Sequence, residues 1–360
     1  MTSPTPFLIV DGHEDLALNA LADGRDYLTS AHTIRAVEAE AGYHSPNGIC
    51  MLGLADWLAA RVAVIFATVQ TIPRRRANAG ELSYATIEGA HQQALAHLDL
   101  YRRWAATSAQ VELITTRQEL AAVTASWADA AADSEHRVGL VLLMENADPI
   151  RSPNEAAFWA EQGVRVVGPA WHANRYSGST DDGGPLTDLG RDLLAEMARS
   201  SMALDLTHMS EQACLESLAT YDGPIVATHA HSRRTKDTPR LLSDAVIEGI
   251  VARDGIVGVL PLNWALDPTW QAADGKDAIR LNALVDAIDA VCQIAGDAKH
   301  VGIGTDFDGG QGAESSPAEI DTIADLPKLA TSLDRRGFAE DDIEAICGTN
   351  WLSFLSRQLP

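Results

Sequence analysis

Basic side chains are scarce in this chain of 360 residues, which has 27 lysines and arginines against 50 aspartates and glutamates. The resulting formal net charge of -23 repels phosphate backbones and anionic lipid surfaces. We therefore expect neither a nucleic acid nor a membrane among its partners.

Cysteines and long apolar runs are scarce as well. The four cysteines, Cys50, Cys214, Cys292 and Cys347, form no CxxC pair, which argues against a zinc ribbon or a redox motif. The apolar run 7–10 is too short for the core of a signal peptide, and no later run reaches the roughly 18 residues of a membrane-spanning helix. These features predict a reduced, cytoplasmic protein.

Short apolar runs rich in valine, isoleucine and leucine recur along the chain, as is typical of parallel strands buried on both faces. The eight strand candidates are 7–10, 62–68, 138–144, 164–167, 202–206, 224–228, 255–260 and 300–304. Helical spacing of alanine, leucine and charged residues recurs between them, as in 84–104, 188–200, 245–252 and 278–294. This alternation predicts an α/β fold, a (β/α)8 TIM barrel rather than a doubly wound sheet, in a single domain over residues 1–360.

The segment 16–60 is long for the first connection between a strand and a helix. Its part 43–53 contains proline and glycine, so we expect a loop and a helix over the barrel mouth, with a plain surface excursion as the alternative.

Side chains that bind metals follow five of the eight strand candidates. They are His13 and Asp15 after the first, Glu145 after the third, His208 after the fifth, His229 after the sixth, and Asp306 and Asp308 after the eighth. Parallel barrel strands all end on the same face, where these groups would converge. Each residue alone is a weak signal, but their combination predicts a metal centre.

Imidazole and carboxylate groups are common zinc ligands, although cobalt or manganese would also accept them. A glutamate that arrives from across the barrel, as Glu145 does, can place one oxygen on each of two cations about 3.5 to 4 Å apart. Two such zinc ions would hold a bridging hydroxide at neutral pH, which makes hydrolysis the expected reaction. A carboxylate must then carry the proton to the leaving group. We assign this role to Asp306. Asp308 is the alternative, because the sequence does not distinguish the two.

Six short motifs occur in a characteristic order. They are DGHED at 11–15, MEN at 144–146, LDLTHMS at 204–210, ATH at 227–229, GIGTDFDG at 302–309 and GTNWL at 348–352. In this combination nearly the whole chain resembles the renal (membrane) dipeptidase family, peptidase family M19 of the amidohydrolase superfamily.

The resemblance implies a role for each site residue. His13, Asp15 and Glu145 would hold one zinc ion, and Glu145, His208 and His229 the other, with Asp306 near the attacking water. The family also has a substrate-binding histidine after the fourth strand, matched by His172 in GPAWHANRYSG, and an arginine after the sixth, matched by Arg240 in TPRLLSDA. His172 would polarise the carbonyl and Arg240 would clasp the substrate carboxylate, with a surface ion pair as the alternative for Arg240.

The resemblance therefore implies a binuclear zinc metallodipeptidase that cleaves small dipeptides, including those with a D-residue at the C-terminal position. Fold and metals do not determine the substrate, so an N-acyl amino acid deacylase or a lactonase is the alternative. A non-catalytic metal-binding barrel is a third hypothesis, and the presence of every ligand type argues against it. Residues 58–62 depart from the family, whose second strand begins with glycines. The pattern does not decide between a monomer and a homodimer.

Overall fold

The computed structural model describes residues 7–77, 81–128 and 133–360. The strands are β1 Ile9–Glu14, β2 Val62–Thr68, β3 Val111–Leu113, β4 Val138–Glu145, β5 Val164–Gly168, β6 Ser177–Ser179, β7 Gly183–Leu186, β8 Ala203–Asp205, β9 Ile225–Val226, β10 Val257–Val259 and β11 Val301–Ile303. The α-helices are α1 Ala17–Ala22, α2 Ala31–Ala41, α3 Leu54–Ala60, α4 Ile87–Thr107, α5 Arg117–Ala125, α6 Ala156–Glu161, α7 Asp188–Arg199, α8 Glu211–Thr220, α9 Asp244–Ala252, α10 Asn263–Leu266, α11 Leu281–Ala295, α12 Pro327–Arg336, α13 Glu340–Glu344 and α14 Asn350–Gln358. Short 3-10 turns lie at Asp133–Glu135, Pro153–Glu155, Ala272–Asp274, Lys276–Ala278, Ala313–Ser315 and Ile323–Asp325, and a π-helical turn at Ala345–Thr349 joins α13 to α14.

Eight parallel strands form a barrel in the order β1, β2, β4, β5, β8, β9, β10 and β11. The last strand pairs with the first, with Asp11 opposite Ile303, and a bridge between Ala227 and Val257 joins β9 to β10. Helices surround this barrel, so the predicted (β/α)8 fold is confirmed. Outside the eight-strand ring, β3 pairs with the start of β4, and β6 and β7 form an antiparallel hairpin.

Each strand candidate overlaps a barrel strand, and the bounds of 62–68 coincide with those of β2, whereas the bounds of the other candidates differ from those of the strands. The first was placed at 7–10, whereas β1 runs on to Glu14, which pairs with Ala67 of β2. These last residues of β1 are polar and yet buried, so hydropathy marks the end of the strand too early. The strand β3 and the hairpin of β6 and β7 were not predicted, because segments of three or four residues show no clear periodicity.

Hydroxyl side chains set the start of several helices by accepting a hydrogen bond from a backbone N–H three residues later. These N-cap residues are Ser30, Thr86, Thr116, Thr187 and Ser210. The cap at Thr86 explains why α4 begins at Ile87, three residues after the predicted start at 84.

The barrel interior is filled from one end by Trp351 of α14. Its indole packs against Phe66 with ring centroids 4.9 Å apart, and its Nε1 donates to the carbonyl of Ile303 at 2.9 Å. A Cβ atom at Gly302 would lie 2.3 Å from the indole nitrogen, so glycine makes room for the ring. A second apolar layer lies between the outer faces of the strands and the helices.

The segment 16–60 contains three helices, α1, α2 and α3, rather than the single helix that we expected. It lies at the carboxyl ends of the strands, because Tyr27 and Arg25 both contact Asp308 in the loop after β11. The four cysteines are buried and unpaired. Across residues 7–77, 81–128 and 133–360, no helix has both the length and the apolar character needed to cross a bilayer.

Candidate metal centre

Four predicted metal ligands meet at the carboxyl end of the barrel. Glu145, the last residue of β4, lies among three imidazoles that arrive on other strands. Its Oε2 is 3.5 Å from Nε2 of His13, whereas its Oε1 is 3.2 Å from Nε2 of His208 and 3.5 Å from Nε2 of His229. The two oxygens of Glu145 therefore face two different groups of nitrogen ligands.

The other two predicted carboxylates lie on the His13 side of this cluster. Nε2 of His13 is 3.9 Å from Oδ2 of Asp15 and also 3.9 Å from Oδ1 of Asp306. Ligand atoms of His13, Asp15 and Asp306 lie within 4.8 Å of one another, as do those of His13, Glu145 and His229. The described part of the chain thus contains two groups that share His13, either of which could hold a cation.

Unused ligand atoms show that a metal fits this cluster. Nε2 of His13 and Oε2 of Glu145 are buried and have no hydrogen-bond partner among the described residues. Buried polar atoms are nearly always paired, so a partner of another kind is expected here. Imidazole nitrogens and carboxylate oxygens match the donor set of zinc.

Two residues that the sequence analysis missed orient the histidines. The hydroxyl of Thr228 donates to Oδ2 of Asp205 at 2.5 Å, so it can only accept from its other neighbours. These are Nδ1 of His229 at 2.9 Å and Nδ1 of His13 at 3.3 Å. Both rings then carry their proton on Nδ1 and present the lone pair of Nε2 to the cluster. The only sequence signal was the position of Thr228 directly before His229.

The hydroxyls of Thr68 and Thr305 bind two carboxylates in β1 or directly after it. Thr68, at the end of β2, donates to Oδ1 of Asp15 at 2.5 Å, which leaves Oδ2 facing His13. Asp11 accepts from both the backbone and the hydroxyl of Thr305, at 2.8 and 2.6 Å. Asp11 therefore has a structural role in joining β1 to β11.

Burial and charge perturb the titration of the whole cluster. Burial lowers the pKa of His13, but the nearby charges of Glu145, Asp15 and Asp306 outweigh it and raise this pKa to about 10. Burial raises the pKa of Glu145, but His13 and His208 lower it overall. Burial, reinforced by the charge of Glu145, raises the pKa of Asp15 to about 7. A proton and a cation therefore compete for the same nitrogen of His13.

The other histidines of the cluster are held neutral. Burial lowers the pKa of His208 and His229, and the positive charge of Arg240 lowers both further. A neutral imidazole is the form that binds a metal.

Four of the seven non-glycine residues with positive φ in the described ranges lie at this end of the barrel. Asn146, His208, Asp306 and Asp308 directly follow or closely follow strands and have φ values of 76°, 66°, 56° and 62°. Non-glycine residues in this region cost about 1 to 3 kcal/mol each and are typical of functional sites.

Asp306 and Asp308, which the sequence did not separate, have different surroundings. Asp306 lies beside His13 and its side chain retains 15% exposure to solvent. Asp308 is fully buried and accepts from the Tyr27 hydroxyl at 2.7 Å and the Met51 amide at 2.9 Å, and it lies 3.0 Å from Nη1 of Arg25. Asp306 therefore faces the cluster, and Asp308 ties the segment of α1 to α3 to the barrel.

The two predicted substrate residues flank the cluster. His172 is buried after β5, with Nε2 3.6 Å from Oδ2 of Asp148. Arg240 lies in the loop after β9 and donates to the carbonyl of His229 through both terminal nitrogens at 3.2 Å. Burial lowers the pKa of Arg240, while the charges of Asp306 and Glu145 oppose this shift. Arg240 is thus beside the cluster and forms no ion pair with the carboxylates described, so a surface ion pair does not explain it.

Comparison with known families gives a match over almost the whole chain. The model of the family described as membrane dipeptidase, peptidase family M19, matches residues 5–358. An uncharacterized protein of Klebsiella pneumoniae is 34% identical over 212 residues, which are 56% of this chain and 74% of that protein. An uncharacterized dipeptidase of Schizosaccharomyces pombe is 27% identical over 46% of this chain and 39% of its own length. The matched part thus spans less than half of this fungal relative.

Solved structures share the barrel fold. A dipeptidase described as a metallopeptidase of family M19 superposes with a TM-score of 0.76 and 24% identity, over 98% of this chain and 99% of that one. A metallopeptidase of Rhodobacter sphaeroides, liganded with a phosphinate mimic of the dipeptide L-Ala-D-Ala, superposes with a TM-score of 0.75 and 23% identity over the same shares.

Proposed function

This chain belongs to the membrane dipeptidase family, peptidase family M19, and from this membership we propose that residues 1–360 form one metallodipeptidase domain that uses two zinc ions. The observation that carries the proposal is the placement of Glu145, whose two oxygens face His13 on one side and His208 and His229 on the other. A carboxylate with this placement suits a bridge between two cations.

In this proposal His13, Asp15 and Glu145 hold one ion, and Glu145, His208 and His229 hold the other. The bound ions would supply Lewis acidity and a nucleophile derived from water at neutral pH. Thr228 and Asp205 keep the ring nitrogens of two ligands correctly protonated, and such outer contacts sustain metal affinity.

Asp306 is the proposed proton carrier between the attacking water and the leaving amine. Two features support this role. Its carboxylate lies 3.9 Å from the imidazole of His13, and its side chain remains partly open to solvent. The neighbouring Asp308 is occupied by Arg25 and Tyr27, and it is therefore the weaker candidate.

Arg240 and His172 are the proposed substrate contacts. The guanidinium of Arg240 has no carboxylate partner among the residues that the structure describes, and it lies beside the cluster, so it can clasp the terminal carboxylate of a dipeptide through two hydrogen bonds. Both ring nitrogens of His172 lack a hydrogen-bond partner within the described ranges, so its ring can donate to the scissile carbonyl oxygen.

The Rhodobacter sphaeroides structure motivates one further part of the proposal. Its ligand mimics a dipeptide with a D-residue at the C-terminal position. We therefore include L,D-dipeptides among the substrates proposed for this chain.

The deciding experiment measures metal content by plasma mass spectrometry together with hydrolysis of matched L,L- and L,D-dipeptides, with and without a chelator. Two zinc ions per chain and cleavage that the chelator abolishes are expected. Two ions without cleavage of any dipeptide would contradict the substrate and favour deacylation or lactone opening, and a preparation that binds no metal would contradict the metal centre.

Asp306→Asn tests the proton carrier. It should retain both ions and lose most of kcat, because an amide cannot accept the proton. Loss of metal along with activity would instead make Asp306 a ligand.

A further inference from the structure

A cavity of about 800 Å³ opens beside the candidate metal centre, at the carboxyl ends of β2, β4 and β5. The loop after β2 contributes Arg74 and Arg75 to its wall, the loop after β4 contributes Asp148, and the loop after β5 contributes His172 and Arg175. Arg74 and Arg75 are exposed and His172 is buried, so the cavity leads from the surface towards the barrel axis.

Two contacts join the inner end of this cavity to the metal centre. Tyr84, which lines the cavity, has its hydroxyl 3.4 Å from Nδ2 of Asn146, the residue that follows Glu145. Trp171, which precedes His172, has its ring 6.5 Å from that of His208. A substrate held at the metal centre can therefore extend a side chain into the cavity.

The three arginines of the cavity form no ion pair with any carboxylate of the described chain. Arg75 donates to the carbonyl of Ala173 at 2.8 Å, and Arg175 donates to the carbonyls of Asp148 and Ile150. Their charges thus remain available to a ligand. Arg76, the next residue after Arg75, is different, because it pairs with Asp182 and lies outside the cavity wall.

One carboxylate opposes these charges. Asp148 accepts from the hydroxyl of Tyr84 and lies 3.6 Å from His172, and these contacts outweigh burial and lower its pKa, so it remains ionised. The wall still has three arginines against one aspartate, in a chain whose net charge is -23. The buried Nε of Arg175 has no hydrogen-bond partner in the described structure, which favours a ligand that carries hydrogen-bond acceptors.

The position of Arg240 indicates which part of a dipeptide reaches the cavity. Arg240 follows β9, whereas the cavity adjoins β2, β4 and β5 on the other side of the cluster. If Arg240 holds the C-terminal carboxylate, the N-terminal residue points towards the cavity. We propose that the cavity binds the side-chain carboxylate of an N-terminal aspartate or glutamate, which makes acidic dipeptides the preferred substrates; this inference rests on the proposed dipeptidase function.

The test compares kcat/KM of the zinc-loaded enzyme for Glu-Ala, Gln-Ala and Lys-Ala, with the alanine in the configuration that the enzyme cleaves. Gln-Ala has the shape of Glu-Ala without its charge. We expect a preference of roughly tenfold for Glu-Ala over Gln-Ala, which corresponds to about 1.4 kcal/mol, and a lower value again for Lys-Ala.

The double variant Arg74→Gln/Arg75→Gln should bring the ratio of Glu-Ala to Gln-Ala close to one. The matched control Arg76→Gln, in the same loop but outside the cavity, should keep the wild-type ratio. If the double variant fails to fold, Arg75→Gln alone should reduce the ratio.

The outcomes separate this inference from the function on which it rests. Cleavage of Gln-Ala and Glu-Ala at equal rates would overturn the acidic preference but leave a dipeptidase. A preference for Ala-Glu over Ala-Gln that the double variant removes would show that the cavity takes the C-terminal residue instead and would overturn the inference. Cleavage of other dipeptides but of none of these three would overturn the acidic preference alone, and cleavage of no dipeptide at all would overturn both proposals.

Discussion

Replacing Asp308 by asparagine should destabilise the protein far more than it disturbs the chemistry. The carboxylate of Asp308 is fully buried, as is the guanidinium of Arg25, whose Nη1 lies 3.0 Å away. Asparagine removes the charge and leaves Glu38, 2.7 Å from Nε of Arg25, as the remaining carboxylate partner of Arg25 among the described residues. Its amide also offers one acceptor oxygen where the carboxylate serves Met51, Tyr27 and Arg25.

The expected loss follows from what a buried charge requires. Breaking a buried ion pair by removing one partner costs about 3 to 5 kcal/mol, and we expect the lower end of this range because Glu38 still compensates part of the Arg25 charge. With a urea m-value of about 3 kcal/mol/M, the unfolding midpoint should fall by at least about 1 M. The segment that contains α1 to α3 should also become more accessible to proteases, because Asp308 ties it to the barrel.

The matched control is Asp321→Asn, which breaks a pair between the same segment and the rest of the barrel. Asp321 lies 2.9 Å from Arg35, but its side chain is 53% exposed. Such a pair contributes at most about 1 kcal/mol. The reasoning would be refuted if Asp308→Asn kept the wild-type urea midpoint and lost kcat, because Asp308 would then act in catalysis.

Three further predictions concern the metal ligands, their orientation and a buried histidine. Glu145→Ala should lose most of both metal ions and nearly all activity, and near-complete metal content by mass spectrometry would exclude the bridging role. Thr228→Val should lower metal affinity by about 10- to 100-fold, measured by competition with a coloured chelator, because the hydroxyl that orients two imidazoles is lost. His97 is 1% exposed in α4, and burial lowers its pKa from 6.5 to about 4. As the pH falls, the imidazole of His97 therefore binds a proton in the unfolded chain before it does so in the folded protein. This lowers the free energy of unfolding by about 3 kcal/mol in total between pH 6.5 and pH 4. In His97→Gln the free energy of unfolding should vary less over that range, and an unchanged pH profile would contradict this.

The order of elements and the location of the metal centre could be predicted from the sequence, because both depend on local patterns. Apolar runs of a few residues mark strands that are buried on both faces, and parallel strands must end on one face of a barrel. The positions of His13, Glu145, His208 and His229 after such runs were therefore enough to predict that their side chains meet. The structure brings each of the three imidazoles within 3.5 Å of a Glu145 oxygen.

Only the tertiary structure separated Asp306 from Asp308. Both follow the same strand, and their difference comes from Arg25 and Tyr27, which lie more than 280 residues earlier in the chain. The contact of Thr228 with Asp205 and the grouping of three arginines around the cavity have the same origin, since each depends on loops from different strands. Periodicity reports which face of an element is buried, but the partner of a polar side chain is decided by the packing of distant segments.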